Sequence, residues 1–205
     1  NTPNAGPTTA NPGDYADVKI HEIQGSTSFA NGTLVGVAGA ADESALLGQD
    51  VRDQGIVTQI VPGLGGYYVQ EEDADADGDA STSEGIFIRG TANVAVGDLV
   101  TIEGRVGEFG GETGITPASV TVDGTAALPE AVVVEFPTAT VLRDADGDYV
   151  ANLESYEGMR VTIQQDMTVG ELFQTDRFGT IRVSSDGRID TFTQTNAPSV
   201  EGYQQ

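Results

Sequence analysis

The clearest chemistry lies in Asp73-Ala74-Asp75-Ala76-Asp77-Gly78-Asp79-Ala80-Ser81-Thr82-Ser83-Glu84. Counted as a twelve-residue loop, it puts Asp73, Asp75 and Asp77 at positions 1, 3 and 5, Gly78 at 6, Ser81 at 9 and Glu84 at 12, the spacing of a calcium loop. Calcium takes about six to eight oxygens, and alternate side chains of a tight turn supply them where a glycine permits the bend. In that scheme Asp79 offers its main-chain carbonyl and Glu84 closes the site with both carboxylate oxygens. Seven carboxylates fall between Glu71 and Glu84. Two unit charges about 5 Å apart repel by roughly 0.8 kcal/mol even in bulk water, so Ca2+ is the expected counter-ion. The open alternative is a solvated acidic hairpin tip.

The flanks of this loop, 66–70 and 86–89, have the composition of strands, and Ala80 at position 8 is smaller than an EF-hand prefers. A loop between two strands is therefore expected. A second set, Asp144, Asp146 and Asp148 around Gly147, is weaker, because position 12 counted from Asp144 is Ser155, which has no bidentate carboxylate. It reads equally as an Asp-Gly hairpin turn between 140–142 and 149–151.

The absent residue types exclude much else. With no Cys and one His, disulfides, thiolate zinc sites, a cysteine nucleophile and multi-histidine metal centres are impossible. His21, between Ile20 and Glu22, reads as a half-buried structural imidazole. No G-x-S-x-G nucleophile elbow occurs, and in so acidic a chain neighbouring carboxylates do not by themselves mark a general acid, so the expectation is not an enzyme.

The 205 residues are 38% hydrophobic, enough to build a core, and carry 32 Asp plus Glu against 9 Lys plus Arg for a net charge of −23. Such a surface stays soluble where salt screens its self-repulsion, which points to a marine or high-salt exterior; plain acidity of secreted modules is the alternative. Affinity for phosphates depends on Lys and Arg, so tight nucleic-acid binding is not expected. No apolar run approaches the ~18 residues of a membrane-spanning helix, and membrane insertion is not expected either. The first residues lack the basic start and apolar stretch of a signal peptide, and the expected location is extracellular with the leader removed.

Stepping outward from the acidic loop, the elements that position it read as β throughout. Residues 1–15, rich in Pro, Asn and Thr, form a flexible linker or arm. Runs of Val, Ile, Thr and aromatic residues at 18–23, 51–60, 67–70, 86–89, 99–108, 119–122, 131–136, 159–164, 180–184 and 188–192 are punctuated by Gly, Asp, Asn and Pro. Alternation across 99–108 predicts a half-buried strand, and Gly104 within it a bulge or bend. The best helix candidate is 42–47, with a turn at 153–158. The fold class expected is all-β, an OB-like β-barrel over 16–124 followed by a second, smaller and incomplete β unit over 125–205.

An ordered set of segments carries a likeness. Ile20-His21-Glu22-Ile23-Gln24-Gly25, Leu47-Gly48-Gln49, Gly55-Ile56-Val57-Thr58, Gly66-Tyr67-Tyr68-Val69-Gln70, Thr82-Ser83-Glu84-Gly85-Ile86-Phe87-Ile88 and Val96-Gly97-Asp98-Leu99-Val100 follow one another, and Leu153-Glu154-Ser155-Tyr156-Glu157-Gly158-Met159, Arg177-Phe178-Gly179 and Gln194-Thr195-Asn196-Ala197-Pro198 continue the series. In these the chain resembles the OB-like, non-catalytic region that precedes the catalytic domain of secreted bacterial nucleases of the endonuclease/exonuclease/phosphatase type. The resemblance implies that phosphodiester chemistry belongs to a following domain outside this chain and that no catalytic residue lies within it.

Two functions follow. The first is a calcium-binding, extracellular accessory module whose partner is a following nuclease domain. OB barrels take oligonucleotides by aromatic stacking beside basic residues, for which Tyr67, Tyr68, Phe87, Arg89 and Arg105 are the candidates, against the competing reading that the aromatics are core and edge packing. The alternative is a homopolymer, a subunit of an extracellular filament or matrix, in which an arm including 15–20 adds a strand to a neighbour.

Overall fold

The computed structural model describes residues 14–25, 29–30, 33–34, 44–136, 138, 141–143, 149–151, 153–179, 181–185 and 187–188. They form strands β1 (Ala16–Asp17), β2 (Phe29–Ala30), β3 (Thr33–Leu34), β4 (Asp50–Val61), β5 (Gly66–Gln70), β6 (Gly85–Arg89), β7 (Asp98–Glu108), β8 (Thr113–Thr125), β9 (Val132–Val134), β10 (Val141–Arg143), β11 (Tyr149–Ala151), β12 (Val161–Ile163), β13 (Thr168–Glu171) and β14 (Arg182–Ser184), with short helices α1 (Ile20–Gln24) and α2 (Thr175–Phe178). The chain is mostly β, as its alternating, turn-punctuated pattern requires.

Six strands make one mixed sheet in the order β1-β4-β5-β6-β8-β7, and β4 also pairs with β7, which returns the sheet on itself. That order is OB-like, a partly open Greek-key barrel. It is not cleanly closed, because the parallel β6–β8 contact consists of Phe87↔Gly114 and Ile88↔Ile115, and β1 lies outside the ring. The expected bend at Gly104 is present: the β7–β8 register shifts between Glu103 and Gly104, and a Cβ on Gly104 would sit 2.5 Å from the Thr116 carbonyl oxygen. Inside the ring, Val51, Val57, Tyr67, Val69, Ile86, Ile88, Val100, Ile102, Val106 and Ile115 form the core, joined by Ile20 and Ile23.

Those two isoleucines explain the first departure from the sequence expectation. Residues 18–23, expected as a strand, instead enter α1, where i, i+3 spacing turns both Ile20 and Ile23 into the core at 0% exposure. The Glu22 carboxylate accepts the Lys19 N–H at 2.9 Å and so satisfies a donor at the helix start. Among the described residues of 42–47 there is a turn rather than a helix, with the Leu47 N–H donating to the Ser44 carbonyl. The turn expected at 153–158 is a 3-10 turn at Glu154–Tyr156.

The second departure concerns the boundary. The compact units span 1–163 and 164–205, not 16–124 and 125–205. The stretch 126–163 belongs with the barrel because it is fastened there: Ser83 Oγ donates to the Glu157 carbonyl, Thr113 N–H to Glu157 Oε1 at 3.1 Å, and Arg160 N–H to Gln70 Oε1 at 2.9 Å. Gly85 and Gly158 meet backbone to backbone, so that a Cβ on Gly85 would lie 2.3 Å from the Gly158 carbonyl carbon. Within this stretch β9 and β12 pair in parallel. The second unit holds the antiparallel β13–β14 pair with α2 between, and its Phe173 is 83% exposed.

The segment expected to reach a neighbour pairs at home. Ala16 and Asp17 run parallel to Val51 and Arg52 of β4, and the Val18 N–H donates to the Arg52 carbonyl at 3.1 Å. Residues 1–13 lie outside the described residues. No helix among the described residues is long and apolar enough to cross a membrane.

Candidate functional site

The acidic loop joins β5 to β6, which pair antiparallel, so the expected strand-flanked hairpin loop is present. Its neck is closed by the Glu71 N–H donating to the Glu84 carbonyl at 3.0 Å, and Gly78 takes φ +74°, the left-handed bend anticipated at position 6. Beyond the neck the carboxylates part company. Asp73 turns away and accepts the Glu130 N–H at 3.2 Å. Asp75 pairs with the ammonium of Lys19, which also reaches Glu71 Oε2 at 3.2 Å. The only lysine of the chain is thus the counter-ion for one end of the loop. Burial works against its charge, but the Asp75 and Glu71 carboxylates outweigh that and raise its pKa.

At the other end Asp77 and Glu84 converge. The Asp77 N–H donates to Glu84 Oε1 at 2.9 Å, and the second oxygen of Glu84 lies 3.1 Å from His21 Nδ1. Ligand atoms of His21, Asp77 and Glu84 lie within 4.8 Å of one another. The Thr82 hydroxyl touches Asp77 Oδ2 at 3.0 Å, while Asp79 accepts from the N–H and hydroxyl of Ser81. The Asp79 N–H, ahead of the hydroxyl of Thr82, holds the Asp77 carboxyl below the usual carboxylate range.

Of the six residues proposed from spacing, the structure therefore brings Asp77 and Glu84 together. It sends Asp73 and Asp75 to protein partners and keeps Asp79 and Ser81 bonded to each other. Spacing along the chain fixes which oxygens face inward only if the loop wraps one point, and here Lys19 and the Glu130 N–H pull two of them outward. His21 was missed as a member because its approach depends on α1, which places it beside Glu84 across a long sequence separation. A groove of ≈ 300 Å³ lies between the loop and the 3-10 turn, lined by Asp73, Asp79, Glu84, Glu130, Tyr156 and Met159. Asp144, Asp146 and Asp148 lie outside the described residues; the strands beside them, β10 and β11, pair antiparallel as a hairpin requires.

The aromatic candidates are packed. Tyr67 is in the core at 2% exposure, and Phe87, at 3%, lies beneath Tyr68 and Phe109 at ring-centroid distances of 5.3 and 6.3 Å. Such burial fits the packing reading of Tyr67 and Phe87 and leaves neither ring a face on which a base could stack. Arg89 stands over the Phe109 ring, 4.9 Å from its centroid, and Arg105 holds Asp50 through two hydrogen bonds of 2.8 and 2.9 Å. Both cations are already matched to protein groups, which weakens the case for a phosphate-tracking surface there.

A further acid group was not anticipated. Glu157 accepts from the Thr113 N–H and, at 3.3 Å, from Gln24 Nε2 where 126–163 meets the barrel. Burial pushes its carboxyl up to about 8. No protein-family model matches the chain, and a search of curated proteins returns no match.

Proposed function

We propose that this chain is a non-catalytic, extracellular β module of the kind that accompanies a secreted nuclease domain, and that calcium taken up by its acidic loop fixes the loop against the barrel. The observation that carries the cation reading is the convergence of Asp77 and Glu84 at the loop neck. Asp77, Glu84 and the Thr82 hydroxyl are hard oxygen donors, which suit calcium better than a soft metal, and water completes such a shell. The His21 ring remains a hydrogen-bond partner of Glu84 in this scheme rather than a ligand. Asp73 and Asp75 leave their protein partners only if the ion gathers the whole twelve-residue loop.

The mechanism is electrostatic and mechanical. One divalent ion at the neck offsets the mutual repulsion that the loop otherwise spreads through solvent, and the ordered loop then presses on the groove shared with 126–163. The likeness to accessory regions of secreted nucleases supplies the context; the packed aromatics and matched arginines support an orienting rather than a nucleic-acid-gripping role.

The test is thermal unfolding at low ionic strength with calcium or a chelator. Calcium is expected to raise Tm in the native sequence and to leave Tm unchanged in the double variant Asp77→Asn, Glu84→Gln. Identical melting curves with calcium and chelator in the native sequence would overturn the reading.

A further inference from the structure

β8 is open on one side over most of its length. It pairs with β6 only through Gly114 and Ile115, while its pairing with β7 runs on to Thr125. Among the described residues, no strand lies against the other side of 116–125. Thr116, Ala118, Ser119 and 121–125 are exposed there, and Pro117 and Val120 are half-buried. Main-chain N–H and C=O groups point alternately to the two sides of a strand, so this edge offers a row of donors and acceptors to any strand that comes alongside.

Protein sheets guard such edges with charge, proline or shortness. β1, at the end of the sheet, is guarded, being two residues long with Asp17 as one of them. β8 is guarded only toward its ends, where Pro117 lacks an N–H and the register with β7 shifts on either side of 119–122. Between lie Ser119-Val120-Thr121-Val122, three β-branched residues and a serine, with no charge. From Glu112 to Glu130 the only charged side chain between is Asp123, in a chain of net charge −23. That carboxylate is already engaged within its own sheet, accepting from the Thr101 hydroxyl at 2.6 Å and from Gln54 Nε2 at 3.0 Å. Glu103, opposite Ser119 on β7, is matched by Arg52 and accepts from the Ser119 hydroxyl at 2.9 Å.

We propose that 119–122 is a self-association edge, at which a second copy of this chain adds its own β8 antiparallel and joins the two sheets across a two-fold axis. Charge and symmetry choose that occupant. Two copies repel each other over most of their acidic surface and approach with least repulsion where the surface is neutral. A nucleic acid finds no Lys or Arg on 113–129, and a basic segment finds only the engaged Asp123. What the edge offers is main chain and small side chains that complement themselves. With the two-fold at Val120, Ser119 of one copy lies opposite Thr121 of the other, a hydroxyl pair suited to cross-strand neighbours, and the incoming strand covers Val122, which is 47% exposed. The two Asp123 groups then stand about 20 Å apart, the length of six strand residues and well beyond the ~8 Å screening length at physiological salt.

Such an isologous contact closes at two chains, unlike head-to-tail strand addition, which continues into a filament. A pair of short strands buries less than the about 1,200–2,000 Å² of a stable interface, so the dimer is weak and depends on protein concentration. Salt strengthens it, because salt screens the repulsion between two acidic bodies and leaves the main-chain hydrogen bonds in place.

The experiment is sedimentation equilibrium of the whole chain in chelator, so that it stands apart from the calcium reading, with protein from about 10 μM to about 1 mM at low and high salt. The native chain is expected to move from the monomer mass toward twice that mass as protein and salt rise. Thr121→Glu and Thr121→Lys each set like charges about 7–8 Å apart across the two-fold, and both are expected to weaken association about threefold or more. A native chain that stays monomeric throughout overturns the proposal, as does association that both variants keep. Weakening by the glutamate with strengthening by the lysine also overturns it, since that is the mark of net charge alone. The chain has no cysteine, so a nitroxide on Thr121→Cys gives an independent reading. A spin–spin distance under about 20 Å in the associated sample is expected, and a longer one overturns the pairing of β8 with itself.

Discussion

Glu71 and Asp77 belong to one acidic run, yet they live in different electrostatic worlds. Glu71 is buried beneath α1, where burial pushes its pKa up while the Ile20 main-chain N–H at 2.8 Å and the Lys19 ammonium at 3.2 Å favour its charge. Asp77 lies at the surface, where neighbouring N–H and hydroxyl groups and solvent hold it ionised at little cost. The same side-chain chemistry therefore calls for a partner in one region and only for screening in the other. Burial, not charge count, decides which acids matter to stability.

The largest effect should come from removing the lysine. Lys19→Met leaves Glu71 buried with no cation, and urea unfolding is expected to show a loss of about 2 kcal/mol, less than for a pair buried on both sides because the Lys19 side chain is 37% exposed. A loss within the ±0.5 kcal/mol typical of surface changes would erase the contrast between the two regions. Next comes Glu157→Gln. The native group keeps its proton to about 8 against an ordinary 4.5, so its contribution falls as pH rises through that range. The amide should therefore stabilise the fold at pH 9 and change it little at pH 5, checked by chemical denaturation at both. The smallest effect is expected on the loop: Asp79→Asn in chelator should alter stability by no more than about 0.5 kcal/mol. Added salt should shrink that further by screening exposed charge while shrinking the Lys19→Met loss proportionally less, since one member of that pair, Glu71, is buried.

The strands were readable where β-branched residues alternate. Residues 51–60 and 99–108 became β4 and β7 almost unchanged, and the bulge at Gly104 followed from a glycine inside an apolar alternation. Only 119–122 of β8 was expected, because Gly114 and Pro117 weaken the local strand signal that pairing with β7 restores. α1 was misread because Ile-His-Glu-Ile fits both periods over so short a stretch; its two isoleucines needed a core to choose the helical one. The burial of Asp53 carried a usable signal, its inward parity with Val51 on β4.

The sequence by itself determined the all-β class, the hairpin position of the acidic loop and the absence of thiolate or multi-histidine chemistry, because local alternation, turn residues and composition act over a few neighbouring positions. Only the folded arrangement sets Lys19 against one end of that loop and brings Asp77 and Glu84 to His21 at the other. Those encounters join residues far apart in the chain, and the closing of the sheet and the burial of Ile20 and Ile23 set their distances, which no spacing rule encodes.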